Sequence, residues 1–193
     1  MFQNLKGKKI ILASQSPRRR ELLKGLDIDF IVKIKNDIDE SFPEQLKREE
    51  IALFLCEHKA NAFRNEIDAN TIVITADTIV CIDDDVLNKP FNYDEAKLML
   101  RKLSGREHTV ITGVCIQSID KKNVFYDATQ VRFKEFTDDE IKFYLDNYKP
   151  YDKAGAYGAQ EWIGYVGIES LTGSYFNVMG FPVHKVYKHL HEF

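Results

Sequence analysis

Three consecutive arginines, Arg18, Arg19 and Arg20, follow the turn Ser14-Gln15-Ser16-Pro17. Ser16 has the character of a helix N-cap and Pro17 that of a first helical residue, so the arginines fall in the first turn of a helix. That end of a helix carries about half a unit of positive charge, and a cation there is disfavoured by up to ~1 kcal/mol unless an anion is bound. The placement points to a phosphate, cradled by free backbone N–H groups, the Ser14 and Ser16 hydroxyls and guanidinium forks. At about 100° of rotation per residue the three arginines cannot all face one ligand. A solvated basic patch behind a good cap is the competing reading, and neither a Walker A lysine pattern nor a GxGxxG loop accompanies the motif.

Asp77 stands out because Ile72, Val73 and Ile74 precede it and Ile79 and Val80 follow. A carboxylate in such a run is paired, metal-bound or functional, since an isolated buried charge costs several kcal/mol or more; alternatively the strand breaks there and Asp77 faces water. Glu40, in Asp39-Glu40-Ser41, and the lysines Lys59 and Lys89 are weaker candidates, because acids and lysines on polar connections are usually only solvated. Lys89 precedes Pro90, which biases it toward extended backbone. A third cluster, Asp152 to Gln160, alternates glycine and alanine in a way that lets backbone approach a flat ligand, and the Gln160 amide can pair with a base edge; a plain glycine-rich turn is the alternative. His184, His189 and His191 fall on the last helix without metal-ligand spacing.

The elements that must position these residues follow from local pattern. Ile10 to Ala13 reads as a buried strand and Pro17 to about Leu26 as a helix. Pro43 is expected to open a longer helix through Leu46, Ala52, Leu55, Ala62 and Phe63, with Lys59 near its C-terminal end. Thr71 to Ile82 is β-branched and reads as one strand or two short ones, interrupted at Asp77 and ending in the turn Asp83 to Asp85. Asn92 and Glu95 start a helix through Leu103 that Gly105 terminates. Thr109 to Ile116 and Val124 to Phe136 form a hairpin, Thr137 and Glu140 cap a helix ending before Pro150, and Pro182 precedes a last helix over 183–190. The stretch from Tyr151 to Gly180 holds most of the chain's glycines and is expected to be loop-dominated.

The 193 residues fit one α/β domain with a mixed sheet, with enough length to bury a core unaided. Lys and Arg number 27 against 30 Asp and Glu, interspersed along the chain, which speaks against disorder and against a role coating polyanions, so no nucleic-acid partner is expected. Cys56, Cys81 and Cys115 are odd in number and lack CxxC spacing, which implies a reducing, cytoplasmic setting. No stretch approaches the ~20 apolar residues a membrane span requires, so no membrane partner is expected either.

Taken together and in order, the segments LASQSPRRRELL (12–23), DIDES (37–41), HKA (58–60), ITADTIV (74–80), LNKP (87–90), LSGREHTVITGV (103–114), DKAGAYGAQ (152–160) and SYFNVMGFPV (174–183) resemble the Maf family of nucleoside triphosphate pyrophosphatases. The resemblance implies an elongated, two-lobed α/β fold shared with the inosine triphosphate pyrophosphatases, a mixed central sheet flanked by helices, and a central cleft for the nucleotide, all within a single domain over 1–193. It implies hydrolysis of a nucleoside triphosphate to monophosphate and pyrophosphate with a divalent cation, Mg²⁺ or Mn²⁺. By position, Ser14, Arg18 and Arg19 match the phosphate-binding motif, Glu40, Lys59 and Lys89 match polar catalytic positions, and Asp77 matches the general base. Glu40 and Asp77 are the candidate metal ligands. Arg18, Thr78 and Gln160 match the branch that prefers dTTP and UTP. The family also suggests a homodimer. Departures are mild: Gln15 stands where a small residue is common, His58 where Glu is common, and Phe181 where Leu is frequent. Two rival readings remain open at this level, a pyrophosphatase for modified nucleotides such as 7-methyl-GTP and a nucleotide-binding regulator of septum formation.

Overall fold

The computed structural model describes residues 2–36 and 38–193; Met1 and Asp37, the first acid of the 37–41 segment, lie outside the described residues. Among the described residues the strands are β1 (Lys9–Leu12), β2 (Ile31–Val32), β3 (Thr71–Ile82), β4 (Asp85–Leu87), β5 (Glu107–Gln117), β6 (Lys122–Phe133) and β7 (Ile168–Thr172). They form a mixed sheet in the order β2-β1-β3-β5-β6-β7, with β4 on β3. β1 runs parallel to β2 and β3, whereas β4 is antiparallel to β3 and β7 to β6. The helices are α1 (Pro17–Lys24), α2 (Glu49–Asn61), α3 (Tyr93–Leu103), α4 (Asp138–Tyr148), α5 (Trp162–Gly167), α6 (Tyr175–Val178) and α7 (Val183–Leu190). The α/β class and the mixed sheet agree with the expectation from sequence.

The chain divides into two compact units, one of residues 1–77, 112–127 and 180–193, the other of 78–111 and 128–179. Strands β3, β5 and β6 each contribute a stretch to both, and β3 passes from the first unit to the second between Asp77 and Thr78. In the first unit, Ile72, Ile74 and Ala76 of β3 join Ile10, Leu12, Leu23 of α1 and Val186 and Leu190 of α7 in one buried cluster. Side chains alternate along a strand, so Val73, Thr75 and Asp77 share the opposite face. There Val73 packs with Ile11 and with Phe63 beyond the end of α2. In the second unit, Val80 and Ile82 of β3 pack with α3 (Ala96, Leu100, Leu103) and α4 (Ile141, Tyr144, Leu145).

Four expectations are corrected. The second helix begins at Glu49, not Pro43: Arg48 has φ of 45°, which a helix cannot continue through, and the Glu50 carboxylate accepts from the Lys47 N–H at 3.0 Å to close the start. β3 is one strand over Thr71–Ile82, the first of the two readings offered for this run, and only the interruption expected at Asp77 is absent. β6 stops at Phe133, short of Phe136. The glycine-rich third is not mostly loop, since it contains α5, β7 and α6; β7 is largely exposed and carries no apolar alternation to betray it. The capping boxes fare well: Thr137 Oγ1 accepts from Glu140 N at 3.2 Å and Glu140 Oε2 from Thr137 N at 2.9 Å.

Candidate active site

The first unit gathers its candidates around Lys59. Thr75 and Asp77 lie on one face of β3, and Cys56 and Lys59 lie one turn apart on α2. The two pairs meet in register: Thr75 Oγ1 donates to the Cys56 carbonyl at 2.6 Å, and the Lys59 ammonium donates to Asp77 Oδ2. The same ammonium pairs with Glu40 Oε1 at 2.7 Å. Lys59 and Asp77 side chains are only 14% and 12% exposed, while Glu40 is 49% exposed, so this is a half-sheltered cation shared by two carboxylates. α2 reaches this position because Gly113 on β5 has no side chain; a Cβ there would stand 2.2 Å from the Ala52 carbonyl oxygen. Glu40 is presented by a tight turn in which Asp39 Oδ1 and Oδ2 accept from the Ser41 N–H at 2.9 Å and its hydroxyl at 2.7 Å. Those bonds, the hydroxyl's first, hold the Asp39 carboxyl below the usual carboxylate range.

The start of α1 folds as its sequence indicates. Ser16 Oγ accepts from Arg19 N at 3.4 Å, and the buried Ser14 hydroxyl accepts from Ser16 N at 3.2 Å. Of the three arginines, Arg20 is exposed while Arg18 and Arg19 are half-buried, as helical rotation requires. Arg19 ties down backbone: Nε donates to the Gly180 carbonyl at 2.8 Å and Nη1 to the Ala76 carbonyl at 2.7 Å. It thus grips the residue immediately before Asp77. Burial lowers the Arg19 pKa, and the charge of Asp77 opposes that shift.

The second unit holds Thr78, half-buried on β3, Lys89, exposed after β4, and Gln160. The segment before Gln160 is fastened to the LNKP loop, where Gly155 N donates to the carbonyl of Asn88, the neighbour of Lys89, at 3.2 Å. The Gln160 side-chain oxygen is buried and has no hydrogen-bond partner among the described residues. Sequence reasoning missed Lys153, Glu161 and Tyr144, which hold this segment: Lys153 Nζ pairs with Asp152 Oδ1 at 2.7 Å and Glu161 Oε1 at 3.0 Å, and the Tyr144 hydroxyl donates to Glu161 Oε2. Tyr144 reads in the sequence as one more apolar position of a helix face.

A strand-borne carboxylate thus shares a sheltered lysine with a second acid, near a serine-capped, arginine-bearing helix start on a mixed α/β sheet, a set of groups able to handle an anion. The chain belongs to the Maf family: the family model described as Maf-like protein matches residues 9–193. It is 53% identical over 193 residues, the full length of both chains, to a dTTP/UTP pyrophosphatase of Parabacteroides distasonis. It is 51% identical to one from Porphyromonas gingivalis strain W83, over all of this chain and 98% of the relative, and 50% identical to one from Flavobacterium psychrophilum, over 98% and 95%. Among solved structures it is similar, at 13% identity and a TM-score of 0.45 over 95% of each chain, to a nucleoside-triphosphatase / dITP/XTP pyrophosphatase from Mycobacterium abscessus.

Proposed function

We propose that this chain hydrolyses dTTP and UTP to the nucleoside monophosphate and pyrophosphate. Full-length relatives carry that activity in their names, and the observation that carries the reading to residues is the meeting of Glu40 and Asp77 on Lys59. The donor set suits a hard divalent cation: two carboxylates drawn to one point is what Mg²⁺ commonly takes from protein when substrate phosphates and water complete its shell. Among the described residues no group of three or more His, Cys, Asp and Glu is gathered for a metal. Glu40 and Asp77 would hold Mg²⁺ or Mn²⁺, which would neutralise charge on the triphosphate.

The chain's own residues then divide the work. Asp77 orients the attacking water and takes its proton as the water oxygen bonds to the α-phosphorus and the bond to the bridging oxygen of the β-phosphate breaks. Lys59 and Arg18 offset the charge that collects on departing pyrophosphate, and the Ser14 hydroxyl and the start of α1 bind phosphate oxygens. Arg19 fixes Ala76 and hence Asp77, in addition to its charge. Gln160 reads the base, and Thr78, in the same unit, is the second specificity position: a buried carbonyl oxygen lacking a donor suits the N3–H of thymine or uracil, and mismatches the bare N3 of cytosine. The protein works in the cytoplasm as a homodimer; no described helix is long and apolar enough to cross a membrane.

The test is a panel of dTTP, UTP, CTP, 7-methyl-GTP and ITP with Mg²⁺, scored separately for pyrophosphate and orthophosphate. dTTP and UTP should lead, with pyrophosphate as first product. Asp77→Asn should fold normally and lose about a thousandfold in turnover. Orthophosphate as first product, a preferred purine, or near-normal turnover by Asp77→Asn would each defeat the proposal.

A further inference from the structure

We infer that Tyr144 is a positioning residue for Gln160, acting through Glu161 and Gly158, and that it thereby sets how strictly one pyrimidine is preferred over another; this rests on the reading of Gln160 as the base contact. Tyr144 lies on α4, fully buried in the main cluster of the second unit. Its single hydroxyl has two partners that bracket Gln160 in the chain: it accepts from Gly158 N at 3.1 Å and donates to the Glu161 carboxylate. Glu161 in turn meets the buried Lys153 ammonium at 3.0 Å, closing a ring around the 153–161 loop. A further bond from Glu161 N to the Gly158 carbonyl at 3.0 Å tightens the same turn.

The Glu161 side chain packs closely over Gly158. A Cβ on Gly158 would stand 2.9 Å from the Glu161 carboxyl carbon. The Gln160 side-chain oxygen has no partner among the described residues, and the backbone on either side of this residue is the backbone Tyr144 holds. The anchor itself is firm, since α4 begins in a complete capping box whose Glu140 also pairs with Lys134 at 2.6 Å. Burial, with the Glu161 charge adding to it, raises the pKa of the Tyr144 hydroxyl, so the group stays protonated and remains a donor.

Tyr144→Phe fills the same space and deletes only the hydroxyl, stranding the Gly158 N–H and one Glu161 oxygen. Steady-state kinetics of the full chain with UTP, dTTP and CTP, together with a thermal melt, test the inference. The expected result is a UTP KM raised about tenfold, kcat for UTP within about twofold, and a UTP-over-CTP preference in kcat/KM reduced about tenfold. Gln160→Ala should reduce the preference at least as much, and the double variant no further. Should Tyr144→Phe not fold, Glu161→Gln, which keeps an acceptor for Tyr144 and loses the ion pair with Lys153, should lower the preference in the same direction. A preference unchanged in Tyr144→Phe, or in Glu161→Gln where the former does not fold, overturns the inference if Gln160→Ala does alter it. If Gln160→Ala leaves it unchanged, the assignment of the base contact fails instead.

Discussion

Acid should loosen the second unit through one residue, His108. It is 2% exposed on β5, with its ring centroid 4.9 Å from that of Phe133 and 5.4 Å from that of Tyr157, and Nε2 lies 2.7 Å from the Tyr157 hydroxyl. Burial disfavours the imidazolium and brings its pKa from 6.5 down to about 4, with the neighbouring Arg106 backbone opposing the shift more weakly. The unfolded chain therefore takes up this proton from about pH 6.5 downward, while the folded chain declines it until about pH 4. The stabilisation is complete above the unfolded pKa and is lost progressively as pH falls through that window. At 1.36 kcal/mol per pH unit the loss amounts to about 3 kcal/mol. Carboxylates also titrate there, so the measurement is a difference: urea unfolding of the protein and of His108→Gln at several values between about pH 7.5 and pH 4. The stability gap between the two should shift by about 3 kcal/mol across the window, always against the histidine-bearing chain as pH falls. A gap that does not move with pH refutes the reasoning. Since Tyr157 belongs to the 152–160 segment, UTP preference should weaken over the same range before global unfolding.

Gly113→Ala puts a Cβ 2.2 Å from the Ala52 oxygen and 2.5 Å from its carbon, both backbone, so α2 must move away from β5. A loss of about 3 kcal/mol is expected in urea unfolding, together with a fall in turnover because Lys59 rides on the same helix. Unaltered stability would mean that α2 packs otherwise. Lys59→Met removes the cation that Glu40 and Asp77 share, and with Asp77 only 12% exposed the variant should lose about 1–2 kcal/mol at low salt. Mg²⁺ should raise the melting temperature of that variant more than NaCl at equal ionic strength; equal effects of the two salts would count against Glu40 and Asp77 as metal ligands.

Where a local rule governs a residue, the sequence was legible. Ser16, Asn92 and Thr137 each cap the helix expected of them, because a side-chain oxygen meeting a free N–H two or three residues on is a short-range event. The start of α2 was not legible, since nothing local distinguishes Pro43 from Arg48 as the opening; the positive φ at Arg48 is imposed by the surrounding fold. Asp77 showed itself as an anomaly, but whether one strand ran through it stayed open. β3 is buried on both faces, so the alternation that separates Ile72, Ile74 and Ala76 from Val73, Thr75 and Asp77 leaves no mark in hydropathy. Glu40 carried almost no signal of its own, and its turn through Asp39 and Ser41 becomes visible only in three dimensions. The roles of Lys153, Glu161 and Tyr144 were invisible for a different reason: Tyr144 reaches the loop from α4, Lys153 and Glu161 meet only when the loop folds back, and each residue type is ordinary where it stands.

The near balance of charge acquires meaning from the same geometry. Lys59 and Lys153 have side chains 14% and 9% exposed, and each meets two carboxylates, Glu40 with Asp77 and Asp152 with Glu161. Removing such groups from water costs several kcal/mol per ion, and well-packed apolar side chains of the same size commonly stabilise a fold as well or better. Stability is therefore a poor explanation for either set. Position is a better one, because a charged hydrogen bond fixes direction in a way that apolar contact does not. One set makes up the site proposed above for cation and phosphate, and the other holds the loop that carries Gln160. On this argument, replacing Lys153, Glu161 and Tyr144 together by apolar residues of similar volume would leave the fold about as stable and blur the choice of nucleobase, whereas the exchange of Lys59 and Asp77 would spare the fold and abolish turnover.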